Sequence, residues 1–112
     1  MRLSDVKQRV DRIEEFADEA ERAVQAGSVT GELRQSVDKM HQQARQVQQS
    51  CSSQTQQGDA SPLRDPVMQL EQAADRAMDA VRKAGKVDPE LQQAIQRAHQ
   101  EASGLKKELQ MG

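Results

Sequence analysis

Large aromatic side chains are almost missing from this 112-residue chain. Phe16 is the single aromatic residue, and the sequence has neither Trp nor Tyr. Enzymes usually enclose a substrate pocket with large apolar and aromatic side chains around a few polar groups. The scarcity of such side chains argues against an enzyme, and we expect a protein without catalytic activity.

Cysteine, excess basic charge and long apolar runs are scarce as well. Cys51 is the single cysteine, which excludes an internal disulfide and a zinc cluster built by cysteines alone. The net charge is −2 with both signs interspersed, so the basic face that phosphate neutralisation requires is missing. No segment approaches the roughly 20 apolar residues of a membrane span, and the N-terminal residues lack the apolar core of a signal peptide. We expect no nucleic acid and no membrane as partner, and a bacterial, cytoplasmic protein.

An internal repeat is the most informative feature that the chain does have. Residues 10–44 align with residues 67–102 once Ala84 is treated as an insertion, and fifteen aligned pairs are identical. Among the identical pairs are Glu14/Glu71, Asp18/Asp75, Gly27/Gly85, Val29/Val87, Leu33/Leu91 and His41/His99. Such self-similarity indicates that one supersecondary unit occurs twice.

Four segments carry apolar residues every three or four positions, which predicts four amphipathic helices. The stripes are Val6, Val10, Ile13, Ala17, Ala20, Val24; Leu33, Val37, Met40, Ala44, Val47; Val67, Leu70, Ala74, Ala77, Val81, Ala84; and Leu91, Ile95, Ala98, Ala102, Leu105, Leu109. Two helices shield only one side of each other, so one hairpin cannot bury its own stripes. The pattern predicts an all-α four-helix bundle made of two tandem-duplicated antiparallel hairpins related by pseudo-twofold symmetry.

Capping residues predict where the helices begin and end. The four candidate N-caps are Ser4, Thr30, Asp65 and Asp88. In the last two helices a proline follows at the first helical position. Gly27 and Gly85 suit the left-handed conformation that often ends a helix.

These boundaries divide one domain, residues 1–112, into hairpin one (4–50), a flexible linker (51–64) and hairpin two (65–110). The polar residues 52–61 could span roughly 33 Å at about 3.3 Å each if extended. The second hairpin can therefore follow the first directly or cross the bundle first. A hairpin-swapped dimer would satisfy the same pattern.

Single residues add expectations about packing. Asp5 with Arg9 and Asp18 with Arg22 have the spacing of acid-first i,i+4 ion pairs. Gly104 lies inside the fourth helix and should weaken it by about 1 kcal/mol relative to alanine.

The lone aromatic residue and the acidic residues of the first helix are interpreted as core packing and as surface, respectively. Phe16 aligns with Ala73, so the ring can fill space that its counterpart leaves open. The carboxylates Glu14, Glu15, Asp18 and Glu19 are interpreted as a solvated face.

His41 and His99 are the sharpest candidate site, because they are equivalent in the repeat. Each follows a stripe position, about 80° from the stripe centre. Helix bundles can bind metals through inward side chains, but the di-iron pattern needs Glu-x-x-His, and the nearest match here is Asp38-x-x-His41. Gln96 stands at the carboxylate position of the fourth helix. We therefore interpret both as partly exposed flank histidines, with no metal or cofactor. The alternative is a metal- or cofactor-binding bundle using His41, His99 and Asp38.

A phosphocarrier is a third hypothesis, since histidine phosphotransfer domains are also four-helix bundles of about this size. Those domains place a lysine and a glycine after the histidine. Gln42 and Gln100 follow the two histidines here, so no cation is available to stabilise a phosphoryl group. The pattern disfavours this hypothesis.

Met68 and Met78 lie off the stripe of the third helix, which predicts an exposed methionine pair. Methionines beside an alanine-rich face are typical of a partner surface.

Cys51, at a helix end, is interpreted as a reduced thiol, with a crosslink between two chains as the alternative. With no catalytic pattern present, we predict a non-enzymatic helical interaction module that binds a partner protein or forms a homodimer.

Overall fold

Four helices account for the fold, and the predicted all-α four-helix bundle is confirmed. The computed structural model describes residues 3–27, 29–53 and 63–111. The helices are α1 (Leu3–Ala26), α2 (Gly31–Ser53), α3 (Arg64–Ala84) and α4 (Pro89–Met111). Together they form a narrow body of 44 × 22 × 18 Å.

The helices form an up-down-up-down ring in which α1 packs on α2 and α4, and α3 packs on the same two helices. Arg9 near the start of α1 pairs with Glu108 near the end of α4, so these two helices are antiparallel. Lys83 near the end of α3 likewise lies 3.6 Å from Glu32 at the start of α2. Because α2 and α3 are adjacent, hairpin two lies directly beside the helix that precedes it, and the two hairpins close on each other within one chain.

The core consists of the predicted stripes. Every stripe residue is buried except Ala84, which is half-buried against the core. Further buried residues are Cys51, Leu63, Ala73, Ala80 and Ala94. The alanines of α3 present little side-chain bulk, so the neighbouring helices can approach it closely.

Two of the predicted N-caps are confirmed. The Leu33 backbone N–H donates to Thr30 Oγ1 at 3.2 Å. The Glu90 backbone N–H donates to Asp88 Oδ1 at 3.0 Å. Each bond satisfies one of the backbone donors that the first turn of a helix leaves unpaired.

The other two cap predictions are wrong. Because α1 already begins at Leu3, Ser4 lies inside its first turn. Because α3 begins at Arg64, Asp65 lies inside the helix and the preceding Leu63 makes no side-chain cap bond. Leu63 is fully buried, and because its side chain packs into the core, α3 begins one residue ahead of Asp65.

The predicted linker 51–64 is too long at both ends, and its residues 54–62 lie outside the described part of the chain. Cys51, Ser52 and Ser53 belong to α2, and Arg64 belongs to α3. Cys51 is buried and continues the α2 stripe four residues beyond Val47, which explains the longer helix.

The two glycines at the hairpin turns behave differently. Gly85 has a φ of 82° and ends α3 as predicted. Gly27 does not have positive φ, so the left-handed prediction for it is wrong. Its backbone N–H instead donates to the Ala23 carbonyl at 3.2 Å, which continues the helical bonding by one residue. Within the described ranges, no helix is both long and apolar enough to cross a bilayer.

Candidate functional site

The first candidate site is the groove between α1 and α2 around His41, called here the His41 groove. His41 Nε2 lies 3.2 Å from Glu14 Oε1 and 3.8 Å from Asp18 Oδ1, and its Nδ1 contacts the carboxylate of Glu21. Arg45 Nε approaches Glu14 from the solvent side at 3.9 Å. His41 is only 7% exposed, so the prediction of a partly exposed histidine is wrong for this residue.

The second site is the equivalent groove between α3 and α4, called here the His99 groove. His99 Nε2 lies 3.5 Å from Asp75 Oδ1 and 3.9 Å from Glu71 Oε1. Lys106 Nζ also lies 3.7 Å from Glu71. The His99 side chain is 27% exposed, in agreement with the prediction. The repeat has therefore duplicated a contact between helices, a histidine of one helix facing two carboxylates of the preceding helix.

The histidine contacts link the two helices of each hairpin. In the His41 groove both ring nitrogens face carboxylates of α1. The interpretation of Glu14 and Asp18 as a plain solvated face is therefore wrong. The sequence did hold a signal for this contact, because the repeat keeps all three residue types identical: Glu14/Glu71, Asp18/Asp75 and His41/His99.

The two grooves differ at their outer positions. Along α1 the groove carries Asp11, Glu14, Asp18 and Glu21, whereas α3 carries Met68, Glu71, Asp75 and Met78 at the equivalent positions. The outer acids of hairpin one include Asp11, which accepts a 3.0 Å bond from Gln48 Nε2. Met68 and Met78 are both half-buried, and Met78 packs against the core. They are thus less exposed than predicted, and their role as a partner surface stays a prediction.

The residues named for a metal site are not brought together. His41 lies between α1 and α2, and His99 lies between α3 and α4. Asp38 lines the same surface depression as His41, with no hydrogen bond or ion pair to it. Across residues 3–27, 29–53 and 63–111, no group of three or more His, Cys, Asp or Glu side chains has the arrangement of a metal site. The donor sets present do not fit a metal shared by the two histidines.

A third polar cluster joins α1 to α4. Arg9 Nη1 donates to Glu108 Oε2 at 2.7 Å, and Arg9 Nε lies 3.6 Å from Glu101. The predicted Asp5–Arg9 pair is therefore replaced by pairs to another helix, because Arg9 lies at the α1–α4 contact. The predicted Asp18–Arg22 pair does form, at 3.0 Å.

The thiol of Cys51 is shielded by the protein. Its side chain is buried at the end of α2. Burial raises the pKa of the Cys51 thiol, the charge of Asp11 raises it further, and Lys7 acts in the opposite direction. A protonated, buried thiol is a poor nucleophile, which favours the reduced thiol over a crosslink between chains.

The repeat also creates two equivalent grooves between the hairpins. In the α1–α4 groove, called here the filled groove, the half-buried ring of Phe16 lies under Arg97, whose Cζ is 6.0 Å from the ring centroid. In the α2–α3 groove, called here the open groove, Ala73 and Lys39 occupy the positions of Phe16 and Arg97. A depression of about 220 Å³ lies over Ala73. The ring of Phe16 thus occupies the position at which Ala73 leaves the other groove open. The filled groove keeps a depression of about 530 Å³ farther along, between the end of α1 and the start of α4, where Ala23, Ala94 and Arg97 line it.

Comparison of the chain with protein-family models, with curated proteins and with solved structures found no match.

Proposed function

We propose that the protein is a non-enzymatic helical interaction module that binds a partner protein or self-associates through its lateral helix faces. The observation that carries the proposal is that the apolar residues of the four stripes are spent in filling the core. What remains available along the 44 Å body is a set of shallow polar grooves between long helices. Another helix can dock side by side with such a face where apolar side chains flank the groove.

The surface is large enough for this role. A standard interface covers about 800 Å² on each partner. The described surface of this chain totals 6859 Å², so such an interface would occupy only a small part of it. The His99 groove is the first candidate, because Met68 and Met78 place polarizable apolar side chains on either side of Glu71 and Asp75. The equivalent positions of hairpin one are the acids Asp11 and Glu21, which contact Gln48 and His41 of α2 and offer no apolar surface.

Light scattering coupled to size exclusion, over a wide range of protein concentration, tests self-association. Affinity capture followed by reconstitution with the purified partner tests binding. Replacing the methionines by the acids of hairpin one (Met68→Asp with Met78→Glu) should abolish association through the His99 groove. Asp11→Asn with Glu21→Gln changes the equivalent positions of hairpin one and serves as the matched control. The proposal fails if the protein stays monomeric and no captured protein binds after purification.

A metal- or cofactor-binding bundle is the alternative function, and no contact in the described residues favours it. Elemental analysis and an absorption spectrum of untagged protein would detect it directly. Stoichiometric metal or a cofactor band would replace the interaction proposal.

A further inference from the structure

The open groove between α2 and α3 lacks the ring that Phe16 places in the filled groove. The repeat superimposes α1 on α3 and α4 on α2 in sequence, so each groove is an internal template for the other. In the filled groove a phenyl ring lies beneath a cation, Phe16 beneath Arg97. In the open groove Lys39 supplies the equivalent cation, and Ala73 supplies no ring.

The space over Ala73 is adequate for an aromatic side chain. The depression has a volume of about 220 Å³. A cavity of about 150 Å³ is enough to hold a benzene molecule. The depression opens to solvent between α2 and α3, so a ring can enter it from outside without separation of the helices. We infer that the open groove binds one aromatic side chain presented by a partner protein, an inference that rests on the proposed interaction function.

Charge identifies the kind of segment that carries this ring. Three acids on the filled side are replaced on the open side: Glu15 by Gln72, Glu19 by Arg76 and Glu101 by Gln43. The open groove is therefore lined by two cations, Lys39 and Arg76, with no carboxylate. Neither cation has an ion-pair partner in the part of the chain that the structure describes. The groove thus suits an aromatic residue flanked by carboxylates, which pair with the cations while the ring lies beneath Lys39.

The ring comes from another protein and not from a second copy of this chain. Phe16 is the single aromatic residue of the sequence. It is already held in the filled groove of its own bundle, so a second copy has no free ring to offer. Self-association, where it occurs, therefore uses another surface.

Titration of the isotope-labelled, full-length protein with 3-phenylpropionate, a ring joined to one carboxylate, tests the assignment by NMR. We expect saturable shifts of backbone amides around Ala73 on α2 and α3, with a dissociation constant in the millimolar range, about 1–10 mM for so small a probe. Hexanoate, which lacks the ring, should shift these amides at least about tenfold less strongly at equal concentration. Equal shifts with both probes, or shifts confined to other faces, would overturn the inference.

Two variants locate the probe. Ala73→Phe places in the open groove the ring that the filled groove already has, and it should abolish the shifts while the melting curve stays cooperative. Arg76→Glu, at an exposed position, introduces the acid that Glu19 provides on the filled side and should weaken binding about tenfold. This second variant keeps the test decisive if Ala73→Phe is unstable. Unchanged binding in Arg76→Glu would contradict the charge assignment and overturn the inference.

The same variants separate this inference from the proposed function. Ala73→Phe protein that neither binds the probe nor captures the partner supports both proposals. If wild-type protein captures its partner but never binds the probe in the open groove, only the aromatic assignment fails. A protein that binds 3-phenylpropionate at Ala73 but has no protein partner overturns the inference that a partner presents the ring, and the proposed function then depends on self-association alone.

Discussion

At the scale of single residues, Gly104 lowers the local helix propensity of α4 and leaves room for the Arg9 side chain of α1. A Cβ at this position would lie 2.8 Å from Arg9 Nη2. Without it, the Arg9 side chain lies across α4 and reaches both Glu101 and Glu108. The glycine weakens α4 locally and permits a cross-helix ion-pair cluster.

Gly104→Ala is therefore expected to stabilise the protein by clearly less than the about 1 kcal/mol that this exchange gives in an open helix. The new methyl group displaces the Arg9 guanidinium and weakens its bond to Glu108. In an Arg9→Ala background the full gain of about 1 kcal/mol should return, because nothing opposes the methyl group. Urea unfolding of the four proteins in this double-mutant cycle measures the coupling. Equal gains in both backgrounds would show that Arg9 does not use this space.

Cys51 gives a pH dependence whose sign follows from its burial. The folded protein raises the pKa of this thiol above the ordinary 9.0, so folding favours the protonated form. Its contribution to the free energy of unfolding is present at neutral pH and is lost as the pH rises from 9.0 through the raised value. Urea unfolding between about pH 8 and pH 10.5 should show a steeper loss of stability for the wild type than for Cys51→Ala. Parallel curves for the two proteins would contradict this expectation.

At the scale of helices and hairpins, the histidine–carboxylate contact occurs in both copies of the repeat but is more buried in hairpin one. Both histidines face carboxylates of the preceding helix, but His41 is 7% exposed and the His99 side chain is 27% exposed. Glu21 adds a third carboxylate to the His41 groove, where Met78 stands in the other hairpin. The contact should therefore matter more in hairpin one.

His41→Ala is expected to cost about 1–2 kcal/mol of unfolding free energy at neutral pH, because it leaves three partly buried carboxylates without their shared donor. His99→Ala, the matched control, should cost less than about 1 kcal/mol, since water reaches its partners. Chemical denaturation of both variants under identical conditions provides the comparison. A loss for His99→Ala as large as that for His41→Ala would refute the ranking.

Helix boundaries were predicted correctly where a capping residue alone sets the end of the helix. They were predicted wrongly where a neighbouring apolar residue is buried in the core and lengthens the helix. Thr30 and Asp88 cap their helices as the sequence predicts. Asp65 carries an equally clear signal, yet burial of Leu63 draws the start of α3 ahead of it. Likewise Cys51 prolongs α2 because its side chain enters the core. Capping preference depends on a few neighbouring residues and can be judged from the sequence, whereas the burial of a side chain depends on residues that are distant in sequence.

At the scale of the whole molecule, the hairpins depend on each other for a closed core. Each helix packs on one neighbour of its own hairpin and on one helix of the other. A hairpin alone would expose half of both its stripes to water. The bundle is therefore expected to unfold as one cooperative unit.

Peptides covering residues 1–57 and 58–112 should each be mostly unfolded at micromolar concentration, because neither can bury its stripes. Mixing them in equal amounts should restore helical circular dichroism at 222 nm and a cooperative melting transition. The intact chain is the reference for full helicity. A single peptide that melts cooperatively with native helicity, while remaining monomeric, would show that one hairpin folds without the other.

The four helices and their buried faces could be predicted from the chain alone, because helical periodicity is a property of residues three and four positions apart. The duplication followed from aligning the chain with itself. Which helices are neighbours, and so which side chains meet, is known from the folded bundle. In the bundle His41 is buried among carboxylates, and Arg9 pairs with acids of α4. The open groove has a depression over Ala73, whereas Phe16 occupies the equivalent position of the filled groove. These contacts join residues on different helices, and their distances follow from packing the hairpins together, which no local pattern encodes.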